Sequence, residues 1–182
     1  HYHYLAWKAL ADSLGIDFDE SKNDRLRGVS RMESLEIVLE GYHGAPLSQA
    51  EKEKLADQKN TLYRQSLQTM SPKDLSDEVR TTLNALRARG LKLAIGSSSK
   101  NTPLILERIG LSGFFDAVSD GNNITRSKPD PQVFTMAAEM LRLPAEKCLV
   151  VEDALAGLQA AAGGFDSAGL GPASQSGKAT HS

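Results

Sequence analysis

One stretch constrains the chain more than any other: Leu93-Ala94-Ile95-Gly96-Ser97-Ser98-Ser99-Lys100-Asn101. Leu93, Ala94 and Ile95 form a short apolar run that suits a buried strand, and Gly96 ends it. Three hydroxyls and a lysine follow. Thr102-Pro103 then opens an apolar-periodic segment through Leu104, Ile105, Leu106 and Ile109, closed by Gly110. Strand, polar turn and helix in that order build a parallel α/β sheet, whose ligands bind at the carboxyl ends of its strands. Small hydroxyls, backbone N–H groups and a lysine at a helix start suit an anion, most simply a phosphoryl group. Taken alone, the string fits a capped polar loop equally well.

The alternation extends on both sides of that stretch. Asp77 opens a helical stripe of Val79, Leu83 and Leu86, with Arg87 and Arg89 in the last turn and Gly90 behind it, an order that suits the helix dipole. Phe114-Phe115-Asp116-Ala117-Val118-Ser119 reads as a second strand. In Ser127-Lys128-Pro129-Asp130-Pro131, Pro129 forces Lys128 into an extended conformation and so aims its side chain. Asp130 caps, and Pro131 takes the first helical position ahead of Val133, Phe134, Ala137 and Leu141. Cys148-Leu149-Val150-Val151 is the clearest buried strand. Glu152 and Asp153 stand at its end, before a small-residue helix from Ala154 to Gly163. Two adjacent carboxylates there, beside a hydroxyl turn and an aimed lysine, suit a hard divalent cation such as Mg²⁺. A plain capping aspartate is the other reading. Phe165 to Leu170 is a candidate last strand.

The first seventy residues or so carry no strand signal. Tyr4, Trp7, Leu10, Ala11 and Leu14 have helical period, and Gly15 stops them. His3 and Trp7 are four apart and share a face. Asp17 and Asp19 form an Asp-x-Asp pair, but no buried strand precedes it and no glycine turn follows, so it reads as a loop. Ser30 and Glu33 have capping-box spacing and start a helix at Arg31, with the stripe Met32, Leu35, Val38 and Leu39. Gly28 lets the backbone approach a ligand. The Arg31 guanidinium beside free N–H groups would clamp a phosphate, or else simply be solvated on a capped surface helix. Ser48 and Glu51 repeat the capping box before a long polar helix reaching about Gln68. Leu55, Leu62 and Ser66 mark its narrow buried face, and its lysines and glutamates read as a solvated one. The domain boundary falls at Met70-Ser71-Pro72, giving a helical domain over 1–72 and an α/β domain over 73–182.

Bulk properties narrow the partners. The 182 residues, 40% hydrophobic and 24% charged, suffice for one domain with a core, or one domain plus a small insert. A net charge of −2 with scattered basic residues argues against nucleic acid or an anionic membrane as the main partner. The single cysteine, Cys148, cannot form an intrachain disulfide, which points to a reducing, cytoplasmic compartment. No apolar run approaches membrane-spanning length. A monomer acting on a small molecule is expected.

Three polar loops therefore converge on strand ends: Ser97 to Asn101, Lys128, and Glu152 with Asp153. Phosphoryl transfer needs that combination of a hydroxyl and amide cradle, a cation for developing charge, and a metal. Here the sequence resembles the haloacid dehalogenase (HAD) superfamily, and within it the β-phosphoglucomutase family, over nearly its whole length. The resemblance rests on AIGSSSKN at 94–101, SKPDP at 127–131, VVEDALAG at 150–157, HYLAWKAL at 3–10 and RLRGVSRMESL at 25–35. It implies a Rossmann-like α/β core with a parallel sheet plus a helical cap domain. It also implies Mg²⁺-dependent interconversion of β-D-glucose 1-phosphate and β-D-glucose 6-phosphate, through an aspartyl-phosphate enzyme and β-glucose 1,6-bisphosphate. By the same resemblance Ser97 binds the transferring phosphoryl group and Lys128 balances its charge. Glu152 and Asp153 bind Mg²⁺, and Ser99, Lys100 and Asn101 hold the distal phosphate or the sugar. Gly28, Val29 and Arg31 form a cap-side clamp, Trp7 contributes to substrate binding, and His3 lies in the cap hinge and helps position the catalytic acid. The superfamily's Asp-x-Asp-Gly motif, nucleophile then acid/base, is expected upstream of His1 together with the central strand, and Asp17 and Asp19 do not replace it. A sugar-phosphate phosphatase of the same fold and a non-catalytic sugar-phosphate-binding protein are the alternatives.

Overall fold

The computed structural model describes residues 2–181. They fall into two compact units that meet between Thr69 and Met70. The first is helical: α1 (Tyr2–Ser13), α2 (Glu20–Asp24), α3 (Arg31–Leu39) and α4 (Gln49–Leu67). Its core gathers Trp7, Leu10, Ala11, Ile16, Phe18, Leu26, Leu35, Val38 and Ala56. Both expected capping boxes form. Glu33 N donates to Ser30 Oγ and Ser30 N to Glu33, and Ser48 and Glu51 repeat the exchange. Asp19 caps α2 through Lys22 N, which gives the Asp17/Asp19 stretch its local role.

Two expectations for this unit need correction. The fully buried face of α4 is Ala56, Lys59, Tyr63 and Leu67; of the expected Leu55, Leu62 and Ser66, Leu55 packs at the edge of the core, Ser66 is half-buried and Leu62 is 43% exposed. The reason is the partner: α4 packs against both α1 and α3, which rotates its contact stripe by one residue. A lysine, Lys59, consequently lies inside, although the helix's lysines read as solvated.

The second unit alternates helix and strand: α5 (Asp77–Ala88), β1 (Ala94–Gly96), α6 (Thr102–Arg108), β2 (Ala117–Ser119), α7 (Gln132–Leu141), β3 (Leu149–Glu152), α8 (Leu155–Ala161) and β4 (Asp166–Gly169). All strand pairing is parallel. β1 pairs with β2 from Ala94↔Ala117 to Gly96↔Ser119, and β3 pairs with β4 from Leu149↔Asp166 to Glu152↔Gly169. The fold is α/β, as the alternation predicts. Val133, Phe134 and Ala138 of α7 pack with Val150, Ala160, Ala161 and Phe165. Burying a side chain such as Val133, 0% exposed, contributes about 1.5–3 kcal/mol. Gly96 is required here, because a Cβ would stand 2.7 Å from the Phe134 ring.

Among the described residues the strands form two two-stranded sheets, β1–β2 and β3–β4, and not the one parallel sheet expected, and the sheet of β3 is not covered on both faces. α5 buries none of its side chains. In β3 only Val150 is buried, while Leu149 and Val151 are each 56% exposed, so the apolar run there is not a fully buried strand. Side chains alternate across a strand, and the packing of α7 and α8 reaches one side of it. The second strand is also shorter than its apolar run: Phe114 and Phe115 belong to the turn before β2, where Arg87 lies over the Phe114 ring. Arg87 still stands in the last turn of α5, as its position predicts. Pro131 takes the cap position of α7, one residue later than expected, while Asp130 still accepts from Gln132 N at 2.9 Å.

Candidate active site

In the second unit the loop after β1 folds on itself through its hydroxyls. Ser97 N donates to Ser119 O at 2.9 Å, which continues the β1–β2 ladder into the loop. Ser99 N donates to Ser97 Oγ and Asn101 N to Ser99 Oγ, each at 3.1 Å. Thr102 Oγ1 closes the turn on Ser99 O. Asn101 and Thr102 are buried. The loop amides thus fasten the Ser97 and Ser99 hydroxyl oxygens in place, which leaves those hydroxyls as donors for an anion.

Lys128 is the central group. Its residue is 4% exposed. Its Nζ donates to Gly96 O at 3.1 Å and to Glu152 Oε2 at 3.0 Å, and stands 4.8 Å from the Phe134 ring centroid. Its backbone N donates to Ser98 Oγ at 3.5 Å. One ammonium thus ties the carboxyl end of β1 to the carboxyl end of β3. Both partners are well shielded, with side-chain exposures of 6% and 10%, so the pair holds its geometry more firmly than a surface ion pair does. Gly157 makes room for Glu152: a Cβ there would stand 2.2 Å from the Glu152 carboxyl carbon.

The expected metal ligands divide in this arrangement. Glu152 is turned onto Lys128, and Asp153 is exposed. No group of three or more His, Cys, Asp or Glu side chains that could hold a metal ion occurs among the described residues. The two carboxylates present are hard oxygen donors, the type Mg²⁺ takes, and Mg²⁺ commonly keeps several waters beside one or two carboxylates.

In the first unit two of the expected residues, His3 and Trp7, meet around one that sequence reading missed. Lys59 is 3% exposed. Its Nζ lies 3.0 Å from His3 Nδ1, 4.4 Å from the Trp7 ring centroid and 4.8 Å from that of Tyr63. His3 stacks on Tyr63 with centroids 3.9 Å apart. Burial first, and then the Arg31 charge, push the Lys59 ammonium down to about 7. His3 is an exposed residue, yet its packed edge and the Lys59 charge lower its pKa. A neutral imidazole that accepts from Lys59 at Nδ1 carries its proton on Nε2. Trp7, 2% exposed, is a core residue that floors the lysine.

Arg31 opens α3, with Nη1 3.5 Å from Asp57 Oδ1 and a side chain 27% exposed. Burial lowers its pKa; Asp57 opposes that and the Arg64 charge adds to it. Gly28 sits at φ +80° just before it, a conformation that favours glycine. Lys59, Arg31 and Arg64 give this unit a local positive potential that suits a phosphate. The signal for Lys59 lay in the spacing of Ala56, Lys59, Tyr63 and Leu67, which is helical throughout.

Comparison with known proteins shows the family. The family model described as haloacid dehalogenase-like hydrolase matches residues 1–164. A β-phosphoglucomutase of Bacillus subtilis (strain 168) is 39% identical over 160 residues, which cover 87% of this chain and 71% of that protein. A phosphorylated carbohydrates phosphatase of Thermotoga maritima is 26% identical over 161 residues, 87% of this chain and 72% of that protein. Among solved structures, the crystal structure of β-phosphoglucomutase from Clostridium difficile superposes with a TM-score of 0.91 at 33% identity, over 99% of this chain and 82% of that one.

Proposed function

The chain belongs to the haloacid dehalogenase-like hydrolases, and from that membership we propose that it is a phosphomutase of hexose phosphates. On this reading it interconverts β-glucose 1-phosphate and β-glucose 6-phosphate. The observation that carries the proposal is the Lys128 ammonium, held between Gly96 O and Glu152 at the mouth of the hydroxyl loop. A fixed cation beside an amide cradle stabilises the charge that develops on a transferring phosphoryl group, and needs no reorganisation to do so.

Each residue then has a task. Ser97 binds the transferring phosphoryl group, and Lys128 balances its charge. Ser99, Lys100 and Asn101 hold the remaining phosphate or the sugar. Asp153, with Glu152, would hold Mg²⁺, which supplies charge neutralisation at the phosphoryl oxygens. Gly28, Val29 and Arg31 bind an anionic group of the substrate. Trp7 acts beneath Lys59, and His3 positions groups through its contact with Lys59. A mutase is favoured over a phosphatase by the relative at 39% identity, whose name is β-phosphoglucomutase.

The test is an assay of the intact gene product with β-glucose 1-phosphate, Mg²⁺ and a trace of the bisphosphate. Glucose 6-phosphate as the product supports the mutase. Free phosphate in its place makes the protein a phosphatase, and turnover of neither leaves a binding protein.

A further inference from the structure

The turn after β2 takes no part in the chemistry above, yet it grips the loop on which that chemistry rests. Gly121 N donates to Ser99 O at 3.2 Å. Asn122 Nδ2 donates to Lys100 O at 3.1 Å and to Asp120 Oδ1 at 3.0 Å. Asn122 N donates to the same Asp120 oxygen at 2.8 Å. Asp120 is 4% exposed, and its own N donates to Asn123 Oδ1 at 2.9 Å. The turn therefore holds two consecutive carbonyls of the hydroxyl loop, those of Ser99 and Lys100.

The approach leaves no slack. A Cβ on Gly121 would stand 2.7 Å from Ser98 O and 2.8 Å from Lys100 N, which are backbone atoms that cannot swing aside. A trans peptide is planar, so its C=O and N–H point in opposite directions. Pinning the Ser99 and Lys100 carbonyls toward the turn thus turns the Lys100 and Asn101 N–H groups away from it: the Asn101 N–H donates to Ser99 Oγ at 3.1 Å and so fixes that hydroxyl, and the Lys100 N–H faces away from the turn. We propose that Asp120, Gly121 and Asn122 are positioning residues for phosphoryl binding: they set the direction of the Lys100 amide and, through the Asn101 N–H, of the Ser99 hydroxyl, the two groups that receive the anion. The inference rests on the phosphotransfer reading of the loop. It assigns the turn to anion affinity and not merely to the stability of the unit.

Four variants of the intact protein test this, with inorganic phosphate affinity read by calorimetry, the sugar-phosphate KM and kcat measured separately, and the urea midpoint followed throughout. Gly121→Ala should weaken phosphate binding by at least about tenfold, since small displacements of binding groups are costly, and should raise KM in step. Asn122→Ala, at an exposed side chain, should weaken it about fivefold, the worth of one neutral hydrogen bond, with the urea midpoint unchanged. This variant decides the matter if Gly121→Ala does not fold. Asp120→Asn keeps an acceptor for Asn122 and should retain affinity, whereas Asp120→Ala should lose it. Parental phosphate affinity in both Gly121→Ala and Asn122→Ala would overturn the inference while leaving the phosphotransfer reading intact. Equal losses in Asp120→Asn and Asp120→Ala would also overturn it, by making the charge and not the hydrogen bond the active feature. Failure of the parent protein to bind phosphate would remove the phosphotransfer reading and this inference together.

Discussion

Replacing Lys59 with methionine should make the protein more stable, and only on the acidic side of the alkaline range. Lys59 is an interior ammonium, 3% exposed, whose hydrogen-bond partner is the imidazole of His3. Burial, with the Arg31 charge, lowers its pKa from 10.5 to about 7, a fall worth on the order of 5 kcal/mol. The rings of Trp7 and Tyr63 face the ammonium and favour the charge, but burial outweighs them. The folded pKa lies below the unfolded one, so the unfolded chain binds more protons and stability rises with pH between the two values. Below the folded pKa the cost is paid in full; above the unfolded value of 10.5 it vanishes. Methionine keeps the aliphatic stem and removes the charge. Lys59→Met should therefore gain several kcal/mol at pH 6, on the order of 5 kcal/mol at most, and less than about 1 kcal/mol at pH 10. Urea unfolding at the two pH values measures this. Trp7, the single tryptophan, lies directly under the substitution and supplies the fluorescence signal. A variant less stable than its parent at pH 6, or a gain of equal size at both pH values, would refute the reasoning.

Other changes separate binding from stability. Lys128→Ala leaves the shielded Glu152 carboxylate without its partner and should cost about 3–5 kcal/mol, read as a lowered urea midpoint; an unchanged midpoint means water already compensates the carboxylate. Arg31→Ala removes a charged donor from the start of α3 and should weaken phosphate or hexose-phosphate binding about ten- to hundredfold without moving the midpoint; unchanged affinity in a titration makes Arg31 a surface residue only. Asp153→Ala should abolish Mg²⁺-dependent turnover and Mg²⁺ binding by calorimetry together, and normal turnover at ordinary Mg²⁺ would make the carboxylate structural.

Sequence alone determined what depends on near neighbours. The capping boxes at Ser30/Glu33 and Ser48/Glu51 formed as their spacing predicts, since a cap is a bond between residues three apart. The α/β alternation after residue 77 and the polar loops at the ends of β1 and β3 were likewise readable, because strand, turn and helix each carry a local signature. Tertiary structure decided which side of each element faces inward and which distant groups meet. The period of α4 was legible but its phase was not: packing on α1 and α3 turned Lys59 inward and Leu62 outward. Leu149 and Val151 follow the same logic, since an apolar residue is buried only where another element arrives to cover it. Lys128 and Glu152, 24 positions apart, and Gly121 against Ser98 and Lys100, carry no local sign of their pairing. A long-range contact is a property of the assembled chain: the sequence supplies the groups, and the packing of the strands sets the few ångströms between them.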